Sequence, residues 1–248
     1  MSRLLAIGDI HGCLTALETL AAFVPFADDD VLVTLGDYVD RGPNTREVLD
    51  WLIARHSKGT LIPLRGNHEI MLLEARDSDA ELRFWLRYGG REALASYSDA
   101  PDVSLADIPD FHWWLIENET RRYHETDTHI FVHAGLVPDL ALADQPDDAL
   151  FWQRFYYPPP HQSGKTMICG HTAQREGRPL NIGHAVCIDT WVYGEGWLTC
   201  LDPATGDYWQ ANQSGEMRRD RLAPRNSADV ENGADVGSAP PTADSNTK

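Results

Sequence analysis

Five short polar clusters in this 248-residue chain carry residues that could do chemistry together. They are Gly8-Asp9-Ile10-His11-Gly12, Gly36-Asp37-Tyr38-Val39-Asp40-Arg41-Gly42, Arg65-Gly66-Asn67-His68-Glu69, His133-Ala134-Gly135 and Gly170-His171-Thr172. Each follows an apolar run, such as Val31-Leu32-Val33-Thr34-Leu35 before the second. Such runs read as buried strands, and ligand crevices form where the strands of an α/β sheet end. A single GD…DRG stretch could be an ordinary polar turn. Five such clusters, each behind a strand, point to one shared site.

Asp9, His11, Asp37, Asn67, His133 and His171 supply carboxylate, amide and imidazole donors. This mixed hard and borderline set suits Mn, Fe or Zn better than Ca or Mg alone. Two carboxylates and three imidazoles are too many for one tetrahedral zinc and enough for a pair of divalent ions, with Asp37 placed to bridge them. Two ions ~3.5–4 Å apart can activate a water and clamp both oxygens of an in-line displacement. His68 can then protonate a leaving oxygen while Asp40 orients it. Arg41, and Arg154 of Phe151-Trp152-Gln153-Arg154, offer planar forks to phosphate oxygens.

The elements that must position these groups are legible in order. Strands are predicted over 3–7, 31–35 and 60–64, and helices from Leu14 to about Phe23, from Thr45 to near Gly59, and from His68 with Asn67 as its cap. Strand–helix–strand–helix–strand implies right-handed crossovers and a parallel sheet. Residues 78–118 read as a helical insertion rich in aromatics, capping the core or walling the crevice. The second half is strand-like: a hairpin around Glu125-Thr126-Asp127, then strands over 166–169, 185–188, 196–201 and 208–211. It suggests a second sheet packed on the first. The expected fold is α/β, two mixed sheets stacked as a sandwich with helices outside, in one domain spanning 1–222. After Leu222 the chain holds no Leu, Ile, Phe, Tyr or Trp and reads as a disordered tail, 223–248.

A net charge of −17 argues against a nucleic-acid binder and against anionic membranes. Two cations and two Arg would reverse the field locally, so a phosphate ester remains a suitable substrate. Four scattered Cys lack CxxC spacing and read as buried reduced thiols. With no signal-like segment or long apolar run, a cytoplasmic monomer is expected. Ser163-Gly164-Lys165-Thr166 mimics the end of a P-loop, but Pro159 stands where that pattern needs Gly.

The five motifs together resemble the signature set of the phosphoprotein phosphatases, the serine/threonine-phosphatase branch of the calcineurin-like metallophosphoesterases. The short connections resemble the bacterial and phage members. The resemblance implies Asp9, His11 and His171 on one metal, Asn67 and His133 on the other, and Asp37 shared. It implies Mn as the ion, with Fe, Zn, Ni or Co as alternatives, and direct attack of metal-bound hydroxide. His68 with Asp40 would be the acid pair; Arg41, Arg154 and Asn67 would hold the phosphate. The substrate implied is phosphoserine or phosphothreonine in proteins, with phosphotyrosine also open. A dinucleoside polyphosphate hydrolase and a cyclic-nucleotide phosphodiesterase are the alternatives within the superfamily. The first of these branches tends to lose the acid before Arg-Gly and to end its third motif in Asp, whereas Asp40 and Glu69 stand here. A catalytically dead scaffold would lack ligands or acid, and every position is filled. One departure is Trp191, where the stretch after Ile188-Asp189-Thr190 usually continues with Gly.

Overall fold

Alternation of apolar residues along the central strands decides the layering. The structure, a computed structural model, describes residues 3–100 and 102–223. Most of the expected 223–248 tail lies outside the described residues. The strands in chain order are β1 (Leu4–Ile7), β2 (Val31–Thr34), β3 (Leu61–Pro63), β4 (Tyr123–Glu125), β5 (His129–Val132) and β6 (Thr166–Cys169). They continue with β7 (Leu180–Asn181), β8 (Ala185–Cys187), β9 (Leu198–Leu201), β10 (Asp207–Ala211) and β11 (Met217–Arg221). Two mixed sheets result, ordered β11-β10-β9-β1-β2-β3 and β4-β5-β6-β8-β7.

Leu5 and Ile7 of β1 and Leu32 of β2 point to the helices α1 (Leu14–Phe23) and α2 (Thr45–His56). Their alternates Ala6 and Val33 point the other way, into a cluster with Phe131, Ile168 and Val186 of the second sheet. Ile130, Val132, Met167 and Cys169 line that sheet's far face, under Leu150 and Phe151. The sandwich therefore has an inter-sheet core and a covered outer face on each side. All four Cys are buried and free.

The expected two-sheet α/β class is the one observed, but the second half of the chain is divided between the sheets. β9 returns to pair antiparallel with β1, and β10 and β11 extend that first sheet. β11 has no apolar pattern to announce it. Its Met-Arg-Arg-Asp-Arg is largely exposed, as suits a charged edge strand. Two further details differ. α3 (Asn67–Glu74) begins one residue earlier than expected, with Gly66 at the cap. Asn67 is free to turn inward because Glu69, at the third helical position, accepts from the Gly66 amide at 2.8 Å.

Residues 78–118 hold no strand among the described residues. They form α4 (Asp79–Trp85), a wide turn over Leu86–Gly90, α5 (Arg91–Ala95) and α6 (Asp110–Trp114). Trp85 is fully buried in the helix-side core, while Phe84, Tyr88, Phe111 and Trp114 are exposed.

Candidate metal centre

The five clusters lie at the carboxyl ends of β1, β2, β3, β5 and β6, and the fold brings them to one crevice. Asp9, His11, Asp37, Asn67 and His68 come from the first sheet, His133 and His171 from the second. Asp37 sits at the middle. Its Oδ2 is 3.5 Å from His11 Nε2 and 4.0 Å from His68 Nε2, and its Oδ1 is 3.4 Å from His133 Nε2. Asn67 Oδ1 lies 2.9 Å from both His133 Nε2 and His171 Nδ1.

Ring orientation follows from carbonyl acceptors. His11 Nδ1 donates to Val39 O at 3.0 Å and His133 Nδ1 to Leu35 O at 2.8 Å. A carbonyl can only accept, so each ring turns an Nε2 lone pair toward Asp37. Asp9 is fixed across the sheets, accepting the His171 amide at 3.0 Å. A Cβ on Gly170 would lie 2.0 Å from Asp9 Oδ1, so this contact requires Gly there.

Burial sets the charge state. It pushes Asp9 well up, helped by Asp189 and Asp37, and Asp37 to about 7. It pulls His133 down to about 4 and His171 to about 3. Neutral imidazoles and buried carboxylates that repel one another form a pocket suited to cations. Two overlapping triads, His11-Asp37-His68 and Asp37-His133-His171, each bring their donor atoms within 4.8 Å of one another. With Asn67 beside His133 and His171, the donor chemistry fits two divalent ions. The partition differs from the one the resemblance implied. His171 Nδ1 lies 3.2 Å from His133 Nε2, so its side chain groups with Asn67 and His133, while its amide alone reaches Asp9.

Two devices hold the heptapeptide. Glu69 accepts from the amides of Asp37 and Tyr38, both at 2.8 Å, and of Val39 at 3.3 Å. The Tyr38 hydroxyl is tied to Thr34 and to Leu64 O. The backbone itself is in an uncommon state: His11, Asp37, Asp40, Arg41 and His171 all have left-handed φ, from 48° to 73°. Such conformations cluster where the surroundings over-determine them.

His68 Nδ1 meets Asp40 Oδ2 at 2.6 Å, and both are buried. Trp85 Nε1 donates to the same carboxylate at 2.9 and 3.0 Å. Arg41 Nη1 is 3.2 Å from His11 Nε2, and its guanidinium lies 4.3 Å above the Tyr193 ring. Tyr193 also meets the edge of His11 at 4.9 Å. Arg154 is exposed, and its charge is near enough to His171 to contribute to lowering it.

Trp85 and Tyr193 are contacts that sequence reading does not pick out. Trp85 stands among seven aromatics of the insertion with no spacing to distinguish it. Tyr193 lies two residues after Trp191, which keeps a left-handed φ of 64°, the state Gly favours. The Trp191 ring meets that of Tyr193 edge-on, at 6.3 Å between centroids.

The family model for calcineurin-like phosphoesterases matches residues 2–194, and the chain belongs to that family. Two kinds of relative follow. The symmetrical bis(5'-nucleosyl)-tetraphosphatase of Stutzerimonas stutzeri is 33% identical over 138 residues, covering 55% of this chain and 46% of that protein. Serine/threonine-protein phosphatase 1 of Salmonella typhimurium is 32% identical over 155 residues, 60% of this chain and 62% of that one. The chain thus spans about half the length of the tetraphosphatases it matches. A cold-active protein-tyrosine phosphatase of a psychrophilic Shewanella superimposes with TM-score 0.56 at 19% identity, over 88% of this chain and 80% of that one. That likeness bears on the fold alone.

Proposed function

We propose that this chain hydrolyses phosphomonoesters of serine, threonine or tyrosine at a two-metal centre, and the His68–Asp40 pair carries the reading. Asp9, His11 and Asp37 would hold one divalent ion, and Asp37, Asn67, His133 and His171 the other. Such ions, when bound, lower the pKa of a water and neutralise phosphoryl charge. Arg41 and Arg154 orient the phosphate through guanidinium forks. His68 Nε2 faces the crevice and delivers a proton to the departing oxygen. Asp40 fixes the ring through Nδ1, and Trp85 keeps Asp40 in place. A serine or threonine alkoxide is too basic to leave unprotonated, so a buried acid pair at this point is what a phosphomonoester demands.

The relatives favour a second reading, a dinucleoside tetraphosphatase, whose name more of them carry. In that reaction a nucleotide leaves through a weakly basic phosphate oxygen and needs no acid. The two readings separate on one plate: a phosphoserine peptide, p-nitrophenyl phosphate and bis(5'-adenosyl) tetraphosphate, given to chelator-stripped protein with Mn restored. Expected is metal-dependent turnover that collapses in Asp37→Asn. His68→Asn should lose on the order of 10²–10⁴-fold on the phosphopeptide and far less on the aryl phosphate. Preference for the tetraphosphate, unaffected by His68→Asn, selects the second reading. No turnover of any of them with Mn, Fe, Zn, Ni or Co in folded protein sinks both.

A further inference from the structure

A cleft of about 610 Å³ opens beside the candidate centre, and Arg41, Arg87, Tyr88, Gly89, Arg91 and Glu92 are among its lining residues. Arg41 belongs to both places, since its Nη1 is also 3.2 Å from His11. Arg87 and Arg91 come from the insertion, four residues apart across the junction between the Leu86–Gly90 turn and α5, and both are exposed. Some exposed arginines are paired, Arg122 with Asp147 and Arg219 and Arg221 with Asp207, whereas Arg46, Arg83, Arg121, Arg154 and Arg175 have no such partner among the described residues and do not converge on this cleft. Among the described residues, no carboxylate within 4.0 Å pairs with Arg41, Arg87 or Arg91.

The cleft is held in register with the centre by two tethers. Arg41 N donates to Gly89 O at 3.3 Å, and a Cβ at Gly89 (φ 114°) would stand 2.4 Å from that nitrogen. Four residues earlier, Trp85 is bonded to Asp40. The turn carrying Arg87 is therefore docked on the backbone of the candidate phosphate clamp.

Three guanidinium forks around one cleft, in a chain of net charge −17, select an anion, and planar forks match phosphate oxygens in pairs. The volume exceeds what one phosphate fills and falls among small-ligand sites of roughly 300–1,000 Å³. At its edge Tyr88 is 47% exposed, its ring 4.8 Å from that of Phe84 and tilted 47° to it, and the exposed Tyr88 face is of the kind on which a base stacks. Glu92 can accept from a sugar hydroxyl. We propose that Arg87 and Arg91 form a second phosphate subsite, joined to the reaction centre through Arg41, for the non-scissile phosphates of a nucleoside polyphosphate. The proposal rests on the phosphohydrolase reading above and assigns it a wider substrate range than proteins alone.

The test is calorimetric titration of the full chain and of a double Arg87→Gln, Arg91→Gln variant. The probes are bis(5'-adenosyl) tetraphosphate, inorganic phosphate and an acidic phosphoserine peptide. Expected is a loss of about tenfold or more in tetraphosphate affinity, with a smaller change for inorganic phosphate, which reaches only the scissile position. Equal weakening for both would reduce the two arginines to a general field and overturn the subsite. So would no change, or a loss confined to the peptide. Turnover of p-nitrophenyl phosphate by the same preparation keeps the two claims apart. If it proceeds while the tetraphosphate fails to bind, the subsite falls and the hydrolase stands; if neither p-nitrophenyl phosphate nor the tetraphosphate is turned over, the hydrolase reading falls.

Discussion

Glu69 shows how one side chain organises the centre without touching substrate. Its carboxylate gathers the amides of Asp37, Tyr38, Val39 and Gly66. Aspartate is one methylene shorter and cannot span both loops. Glu69→Asp is therefore expected to destabilise by about 1–3 kcal/mol through buried amides left unpaired, read as a lower denaturant midpoint at unchanged m. Trp85→Phe keeps the ring's bulk and removes one donor to Asp40. Its expected effect is a kcat loss on a phosphoserine peptide that exceeds the loss on p-nitrophenyl phosphate, because Asp40 acts through His68 on the leaving group. Equal losses on both substrates would mean that Trp85 only supports packing. At this scale the donors were legible, because carboxylates and imidazoles behind apolar runs announce themselves. Their partition was not. Whether His171 joins His133 or Asp9 depends on the turn after β6, which presents the amide to one and the ring to the other.

Among the elements, β1 and β2 set the floor of the crevice, and a small latch joins their starts. Asp30, 1% exposed, accepts from the Arg3 amide at 3.2 Å, from Arg3 Nε at 3.1 Å and from the Ala27 amide at 2.8 Å. The Arg3 hydrogen bond holds this carboxyl below the usual carboxylate range. A depressed native pKa means that the unfolded chain binds the proton more readily. The stabilisation is thus present above the unfolded value of about 4 and fades as pH falls through the native one. Because Arg3 is partly exposed and screened, Asp30→Asn should cost only about 1 kcal/mol at pH 7. The gap from the parent should shrink toward pH 3 in urea titrations at both pH values. The strands that carry motifs were readable from their apolar runs. β11 was not, because an edge strand is paired through its backbone and through ion pairs such as Asp207 with Arg219, which leave no periodic signature.

For the whole molecule, the inter-sheet core is the mechanical basis of the site, since donors arrive from both sheets. Phe131 fills its middle with no exposure. Phe131→Ala should cost about 3–5 kcal/mol and lower the affinity for added Mn, because the two halves of the donor set would no longer be held in register. Calorimetric melting with and without Mn would report both. The alternation that builds this core could be read from sequence; the return of β9 to the edge of β1 could not, because pairing partners across some 190 residues are chosen by tertiary packing.

The left-handed backbone at His11, Asp37, Asp40, Arg41 and His171 has a consequence for inheritance. At each position the residue that does the chemistry is one the backbone tolerates at a cost of roughly 1–2 kcal/mol, and glycine would relieve it. A lineage released from the need for turnover gains stability by surrendering these letters first, and Arg41, the least suited to that conformation, before the others. The fold would survive such decay with its sheets intact. Glycine at these five positions in a descendant would be the mark of a retired enzyme.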